Sequence, residues 1–422
     1  MPEWLVFLVM VAVFAALAMA ARFPIGLSLA LGAVAGSLVA GQGVSVRHLI
    51  EGGFGYFDTI LIIITATIFI KVLQASGVLD SAAAGLLKAF YRSRVLLLLA
   101  VMLILMFPGM LTGSSVSAIL STGPIVAPVM MKLGLPRLRT AALVAMGGIL
   151  GMVAPPVNIL VMIMGSGVDM PYVGVTLPLL IIVVPLAVAV PLVIGLKHLR
   201  VIGREEMLAV VPPSIWPAYG LRLVIPFAVL LVLMAAPGLT SGRLPDVGIP
   251  AAFLAASLAG LVSGRRLNFL KVTQKAVEEA MPILAILAGV GMFIQVMTLT
   301  GARGWTVVSV LSLPSLFLYL GIALSLPAFG GVSTFGSASI LGIPFILALV
   351  GRNALLTSAA LSAIAGLGDL VPPAAVSVRF AAQVVGEKKL AGILRQCLVP
   401  ALLQLAVGLA VLVLAPLIDR LI

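Results

Sequence analysis

Apolar residues run along this chain in long uninterrupted stretches rather than in alternation, and the stretches come in two sizes. Runs of the roughly 17 to 25 residues needed to cross a hydrocarbon core can be placed at 4–21, 24–41, 57–75, 174–196, 222–236, 248–263, 281–299 and 396–417. Others stop early: 95–107 ends at Pro108-Gly109, 115–131 follows at once, and 141–153 stops at Pro155-Pro156 before 159–165. At about 1.5 Å per residue, a helix over 95–107 covers only about 20 Å of a roughly 30 Å core. These segments are therefore expected to be half-helices and re-entrant hairpins. The fold class is an all-α polytopic membrane protein.

The interruptions recur. Phe107-Pro108-Gly109-Met110-Leu111-Thr112-Gly113-Ser114-Ser115 is matched by Leu326-Pro327-Ala328-Phe329-Gly330-Gly331-Val332-Ser333-Thr334, and Pro124 by Pro344. Gly151-Met152-Val153-Ala154-Pro155-Pro156 is matched by Gly368-Asp369-Leu370-Val371-Pro372-Pro373, and Phe69-Ile70-Lys71-Val72 by Phe293-Ile294-Gln295-Val296. Self-similarity of this kind marks two copies of one unit. The first is expected over 1–200, with its hairpin at 94–131 and its broken helix at 140–167. A polar cytoplasmic linker at 201–221 follows, and the second copy over 222–422 places its hairpin at 312–350 and its broken helix at 353–386.

Composition adds the environment. With 62% hydrophobic and 9% charged residues and a mean hydropathy of +1.30, no water-soluble core hides so much apolar surface. The net charge of +12 does not point to nucleic acid, because the basic residues lie between apolar runs. With the N-terminus outside, Arg47, Arg243, Arg303, Arg352 and Arg420 fall outside, Lys71 and Arg379 lie within spans, and the other 18 of the 25 Lys and Arg fall inside. That bias supports the topology, and it makes the two repeats inverted with respect to the membrane. The run 4–21 is preceded by Glu3 and meets its first basic residue at Arg22, so it reads as a retained helix rather than a signal peptide. The single Cys397, with His48 and His198 both expected in loops, excludes disulfide and structural zinc frameworks. An intramembrane enzyme acting on a lipid would need clustered acids or histidines. The 13 acids are scattered, so no enzyme and no cofactor are expected.

Broken helices give up backbone hydrogen bonds, which hydrocarbon cannot replace, so they belong where protein or a cavity surrounds them. Breaks at matching places in inverted repeats point to a binding site near the membrane midplane. The tips Thr112, Gly113, Ser114 and Ser115, with Gly331, Ser333 and Thr334, offer helix N-termini to an anion and hydroxyl and carbonyl oxygens to a small cation. Residues that break the repeat carry separate information. Asn158 stands opposite Ala375, Asp369 opposite Met152 and Arg379 opposite Met162. Charges at such depth are costly and functional by default. Asp369 has the chemistry to coordinate a cation or carry a proton, and Arg379 to pair with a substrate carboxylate; alternatively the two satisfy each other, or Arg379 reaches the cytoplasmic interface. Lys71 is near enough to a span end to snorkel.

Phe23-Pro24-Ile25-Gly26, Glu51-Gly52-Gly53-Phe54 and the two Pro-Pro breaks, in this order and spacing, resemble the large membrane subunits of TRAP transporters, within the superfamily of elevator-type ion-coupled carriers. The resemblance implies sodium-driven import of a small organic anion such as a carboxylate, in the inner (cytoplasmic) membrane. It implies sodium sites involving Thr112, Gly113, Ser114, Gly151, Pro155 and Asn158 in the first half, and Gly331, Ser333, Thr334, Asp369 and Pro372 in the second. Ser115, Asn158, Thr334 and Arg379 would hold the solute. It further implies a small four-helix membrane subunit and a periplasmic solute-binding protein as partners, beside membrane lipid. Two departures stand out: Pro-Pro-Val-Asn at the first break, where many members have a serine after the prolines, and Phe329-Gly330-Gly331 where an acid is often found. Together with Asp369 they leave open a proton-coupled carrier that works alone.

Overall fold

The computed structural model describes residues 1–200, 204–239, 247–349 and 351–420. Residues 201–203 of the expected linker, Arg243 among the expected outside charges, position 350 at the end of the second hairpin and 421–422 lie outside the described residues. Among the described residues there are helices and turns and no strand.

The helices follow in the order α1 (Glu3–Ala20), α2 (Ile25–Val39), α3 (Val46–Phe54), α4 (Phe57–Ala75), α5 (Val78–Phe90), α6 (Arg94–Thr112), α7 (Ser115–Lys132), α8 (Arg137–Val153), α9 (Ile159–Gly167) and α10 (Thr176–Gly195). Then come α11 (Arg204–Val210), α12 (Trp216–Ala235), α13 (Ile249–Gly260), α14 (Phe269–Leu299), α15 (Ala302–Leu311), α16 (Ser315–Gly330), α17 (Thr334–Ala348), α18 (Ala354–Leu370), α19 (Val376–Val385) and α20 (Leu390–Ile418). Among the described residues, eight helices are long and apolar enough to cross a membrane: α1, α4, α6, α7, α10, α12, α14 and α20. The chain is a multi-pass membrane protein.

Two sequence expectations need correction. The arms of the first hairpin are 19 and 18 residues long, not half-length, because α6 continues through Pro108. A helical proline removes its own N–H bond, yet the turn beyond it is held: Thr112 Oγ1 donates to the Pro108 carbonyl at 2.8 Å and the Gly113 N–H to the Gly109 carbonyl at 2.7 Å. The helix ends only at Gly113, whose φ of +62° gives the left-handed cap that glycine adopts readily. His48, expected in a loop, lies in α3.

From α4 onward, the order of elements in the first half recurs in the second. A helix, a short helix, a hairpin, a helix stopped at Pro-Pro, a shorter helix and a closing helix run from α4 to α10 and again from α14 to α20. Equivalent contacts accompany the order. Arg139 Nη1, near the start of α8, donates to the Ile194 carbonyl in α10 at 3.0 Å, and Arg352, just before α18, donates to the Leu412 carbonyl in α20.

The two stopped helices form the centre of the core. Every residue of 140–153 and of 356–366 is buried, as expected of helices that are apolar all round. Helix α14 crosses α2 and α3 in backbone contact; a Cβ at Gly289 would overlap the Gly26 carbonyl, and one at Gly291 the Gly52 carbonyl. Small residues at such crossings bring helices together in membranes.

Candidate functional site

Both hairpin tips are built the same way. Ser114 caps α7, its Oγ accepting the Ser117 N–H at 3.3 Å, and Ser333 caps α17, its Oγ accepting the Gly336 N–H at 3.1 Å. A serine in this role satisfies one of the free N–H groups at a helix start. The next residue in each tip, Ser115 and Thr334, is thereby the first of its helix, and both turn inward to the same place.

That place is Asp369. Ser115 Oγ donates to its Oδ2, Thr334 Oγ1 donates to Oδ1 at 2.5 Å, and Ser377 Oγ, from the first turn of α19, donates to Oδ2 at 3.2 Å. One buried carboxylate thus gathers hydroxyls from both hairpins and from the helix beyond its own break. A charge out of water needs such hydrogen bonds, and the N-terminal ends of α7 and α17 add favourable dipoles. Those N-termini, which the sequence offered to an external anion, meet a carboxyl group of the chain itself.

Thr112, Ser114, Ser115, Ser333, Thr334 and Asp369 line a cavity of about 460 Å³, closed on other sides by Leu120, Met152, Phe335, Phe380 and the α14 residues Glu279, Pro282, Ile283 and Ile286. Its volume lies in the range of small-molecule sites. Glu279 Oε1 pairs with Lys71 Nζ at 2.6 Å, so Lys71 spans the two halves rather than only reaching for the interface. Gln295, its repeat counterpart, donates to Glu51 Oε2 at 3.4 Å, a second link between the halves.

The other expected residues lie around the breaks. Each break is tied to its own hairpin by a backbone bond, Val157 N–H to the Met110 carbonyl and Ala374 N–H to the Gly331 carbonyl, both at 3.0 Å. Gly113, Gly151, Pro155 and Gly331 are buried in this packing and do not line the cavity, while Pro372 is exposed. Asn158 is occupied by its own backbone and core. Its Oδ1 accepts the Val161 N–H at 3.0 Å, capping α9, and its Nδ2 donates to the Val153 carbonyl at 2.9 Å and to Ser362 Oγ at 3.0 Å. Tyr172 completes the clamp, its hydroxyl accepting the Asn158 N–H at 2.8 Å and donating to the Pro156 carbonyl at 2.9 Å. Arg379 is exposed, and its guanidinium donates to the Pro373 carbonyl at 2.6 Å rather than to Asp369.

Sequence reasoning missed three participants. Ser377 follows the second break with no motif around it. Glu279 was cut off by a span placed at 281–299, whereas α14 begins at Phe269. Tyr172 lies in the turn after α9. Counting α14 as one amphipathic extension of its span would have brought in Glu279.

Within this multi-pass membrane fold, stopped helices and helix tips pack around a polar group at the end of a cavity. The sequence profile of the Na+/H+ antiporter family matches residues 2–196. Among solved structures, the Alcanivorax borkumensis YdaH transporter shares the fold with a TM-score of 0.63 at 19% identity, over 92% of this chain and 96% of that one. Neisseria gonorrhoeae MtrF, described within a class of antimetabolite efflux pumps, shares it with a TM-score of 0.57 at 14% identity, over 87% and 83%. No curated protein matches the sequence. The matched family and both structures are transporters, not enzymes, and neither the family nor the structures are TRAP subunits. The resemblance to TRAP transporters is therefore overturned. With it fall the four-helix subunit and the periplasmic solute-binding protein, which that resemblance alone implied.

Proposed function

We propose that this chain is a proton-coupled secondary transporter that works without accessory subunits, and that Asp369 is the coupling carboxylate. The convergence of Ser115, Thr334 and Ser377 on Asp369 carries the reading. Both hairpin tips are held by the same group, so its charge state bears on both at once. Ionised, Asp369 accepts all three hydroxyls and binds the tips together. Protonated, it gives up acceptor capacity and gains a donor, which loosens the tips and favours movement of the hairpin unit. The matching element order and the charge bias of the sequence support two inverted repeats, in which hairpins and stopped helices move as an elevator against α1 to α4 and α12 to α14. The description of the matched family as Na+/H+ antiporters supports a cation-driven cycle.

A second reading is favoured by the oxygens themselves. Sodium in place of the proton would find the carboxylate, three hydroxyl oxygens and the Gly330 carbonyl, which lies 3.4 Å from Thr334 Oγ1. Sodium accepts all of these as ligands. Reconstituted protein, given a panel of labelled organic solutes, separates the two. A pH gradient at equal sodium is expected to drive accumulation, and Asp369→Asn to abolish it with elution profile and helix content unchanged. Accumulation driven only by a sodium gradient would assign sodium to the site. Undiminished gradient-driven flux in Asp369→Asn would remove this carboxylate from coupling.

A further inference from the structure

The cavity beside Asp369 has a one-sided chemistry. Its lining contains two ionisable side chains, Asp369 and Glu279, and both are acids; none of the described lining residues is basic. An anion entering here would face Asp369 with the helix N-termini of both tips already turned to that carboxylate, and the α14 wall would offer it only Glu279, whose charge Lys71 balances. Like charges brought together in a low-dielectric site are strongly disfavoured. The remaining wall is apolar and partly aromatic, with Ile283, Ile286, Phe335 and Phe380 prominent in it. Glu279 is half exposed and tied to Lys71 through Oε1, which marks it as a carboxylate with a displaceable internal cation.

We propose that this cavity takes an amphipathic organic cation, with its apolar body against the α14 and hairpin side chains and its positive charge on Glu279 in place of the Lys71 ammonium. The proposal rests on the transporter reading and names the solute class for it. Lys71 then serves as the resident counter-ion when no solute is bound.

Two flat fluorescent aromatics of similar size and opposite charge, ethidium and anilinonaphthalene sulfonate, provide the test. Binding to purified protein is measured by fluorescence anisotropy, separately from flux in liposomes under a pH gradient. Ethidium is expected to bind; Glu279→Gln should weaken it about threefold to fivefold, the scale for a half-exposed ion pair. Lys71→Met should tighten it about threefold, because the competing ammonium is gone. Opposite shifts in the two variants cannot come from shared damage to folding. Binding of the sulfonate in preference to ethidium, or equal weakening by both variants, would overturn the proposal. Ethidium binding with these shifts but without gradient-driven flux leaves the site standing and removes the transporter reading. Gradient-driven flux of the sulfonate without ethidium binding does the reverse.

Discussion

The two hairpin-and-break units share a backbone plan and differ in where their polar groups are directed. At the first break Asn158 caps α9, is clamped by Tyr172 and bonds both the Val153 carbonyl of its own half and Ser362 of the other, so its side chain is fully taken up by the core. At the second, the corresponding Ala375 offers no cap and takes a left-handed φ of +41°, and the polar burden passes to Asp369, which faces the cavity and the opposite tip. The hairpin arms differ too: 19 and 18 residues in the first, against 16 in α16, with a π-helical turn over Ala338–Gly342 inside α17. Turns of that kind recur at functional sites. A repeat supplies the frame, and the chemistry enters where one copy departs from it.

The comparison breaks most directly at its acid. Asp369→Asn is expected to lower gradient-driven flux by at least about 100-fold, the scale at which a positioned proton carrier matters. Adding Met152→Asp, which puts an acid at the matching place of the first half, should not restore it, since the tip hydroxyls converge on the second break. Restored flux in the double variant would show the halves to be interchangeable. Next in size, Asn158→Ala should cost about 2 kcal/mol of stability through a lost cap and orphaned core partners, read as a lower unfolding temperature. The pH dependence of flux should stay where it was; a displaced profile would place Asn158 in coupling.

Much of this arrangement was legible in the chain, for reasons that also explain what was not. Proline pairs and hydroxyl-rich tips mark interruptions wherever they occur, so Ser115, Thr334 and Asp369 could be named from spacing and from the asymmetry of the copies. Direction was not legible. Residue type gave Asn158 and Arg379 the right chemistry for a ligand, but only packing turns Asn158 into a cap and sends the Arg379 guanidinium to the Pro373 carbonyl. Helix ends were blurred by hydropathy as well. Placing a span at 281–299 hid Glu279, because a helix can extend past the apolar region and hold a charge against a neighbour, here Lys71. The same limit misled the family resemblance, which rested on short motifs that mark broken helices rather than one lineage.

The smaller effects refine the contrast between a clamped and an unclamped break. Tyr172→Phe removes a hydroxyl that both accepts and donates, leaving the Asn158 N–H and the Pro156 carbonyl with one partner fewer; about 1 kcal/mol of destabilisation is expected from such a loss. A loss in flux without a loss in stability would instead tie the first break to transport.

Ala375→Gly should have the smallest effect, and its near-absence is informative. A left-handed backbone costs an alanine about 1 to 2 kcal/mol, which glycine avoids, but glycine brings an unfolded-state entropy penalty of about 0.5 to 1 kcal/mol relative to alanine. The two largely offset, so the unfolding free energy should move by no more than about 1 kcal/mol, in the stabilising direction. A fall in flux would show that strain at Ala375 holds Ser377 toward Asp369, because the relaxed turn frees α19 to carry that hydroxyl away. A more stable variant with unchanged flux would show that the second break needs its missing cap for nothing, and that the contrast between the halves lies in Asp369 alone.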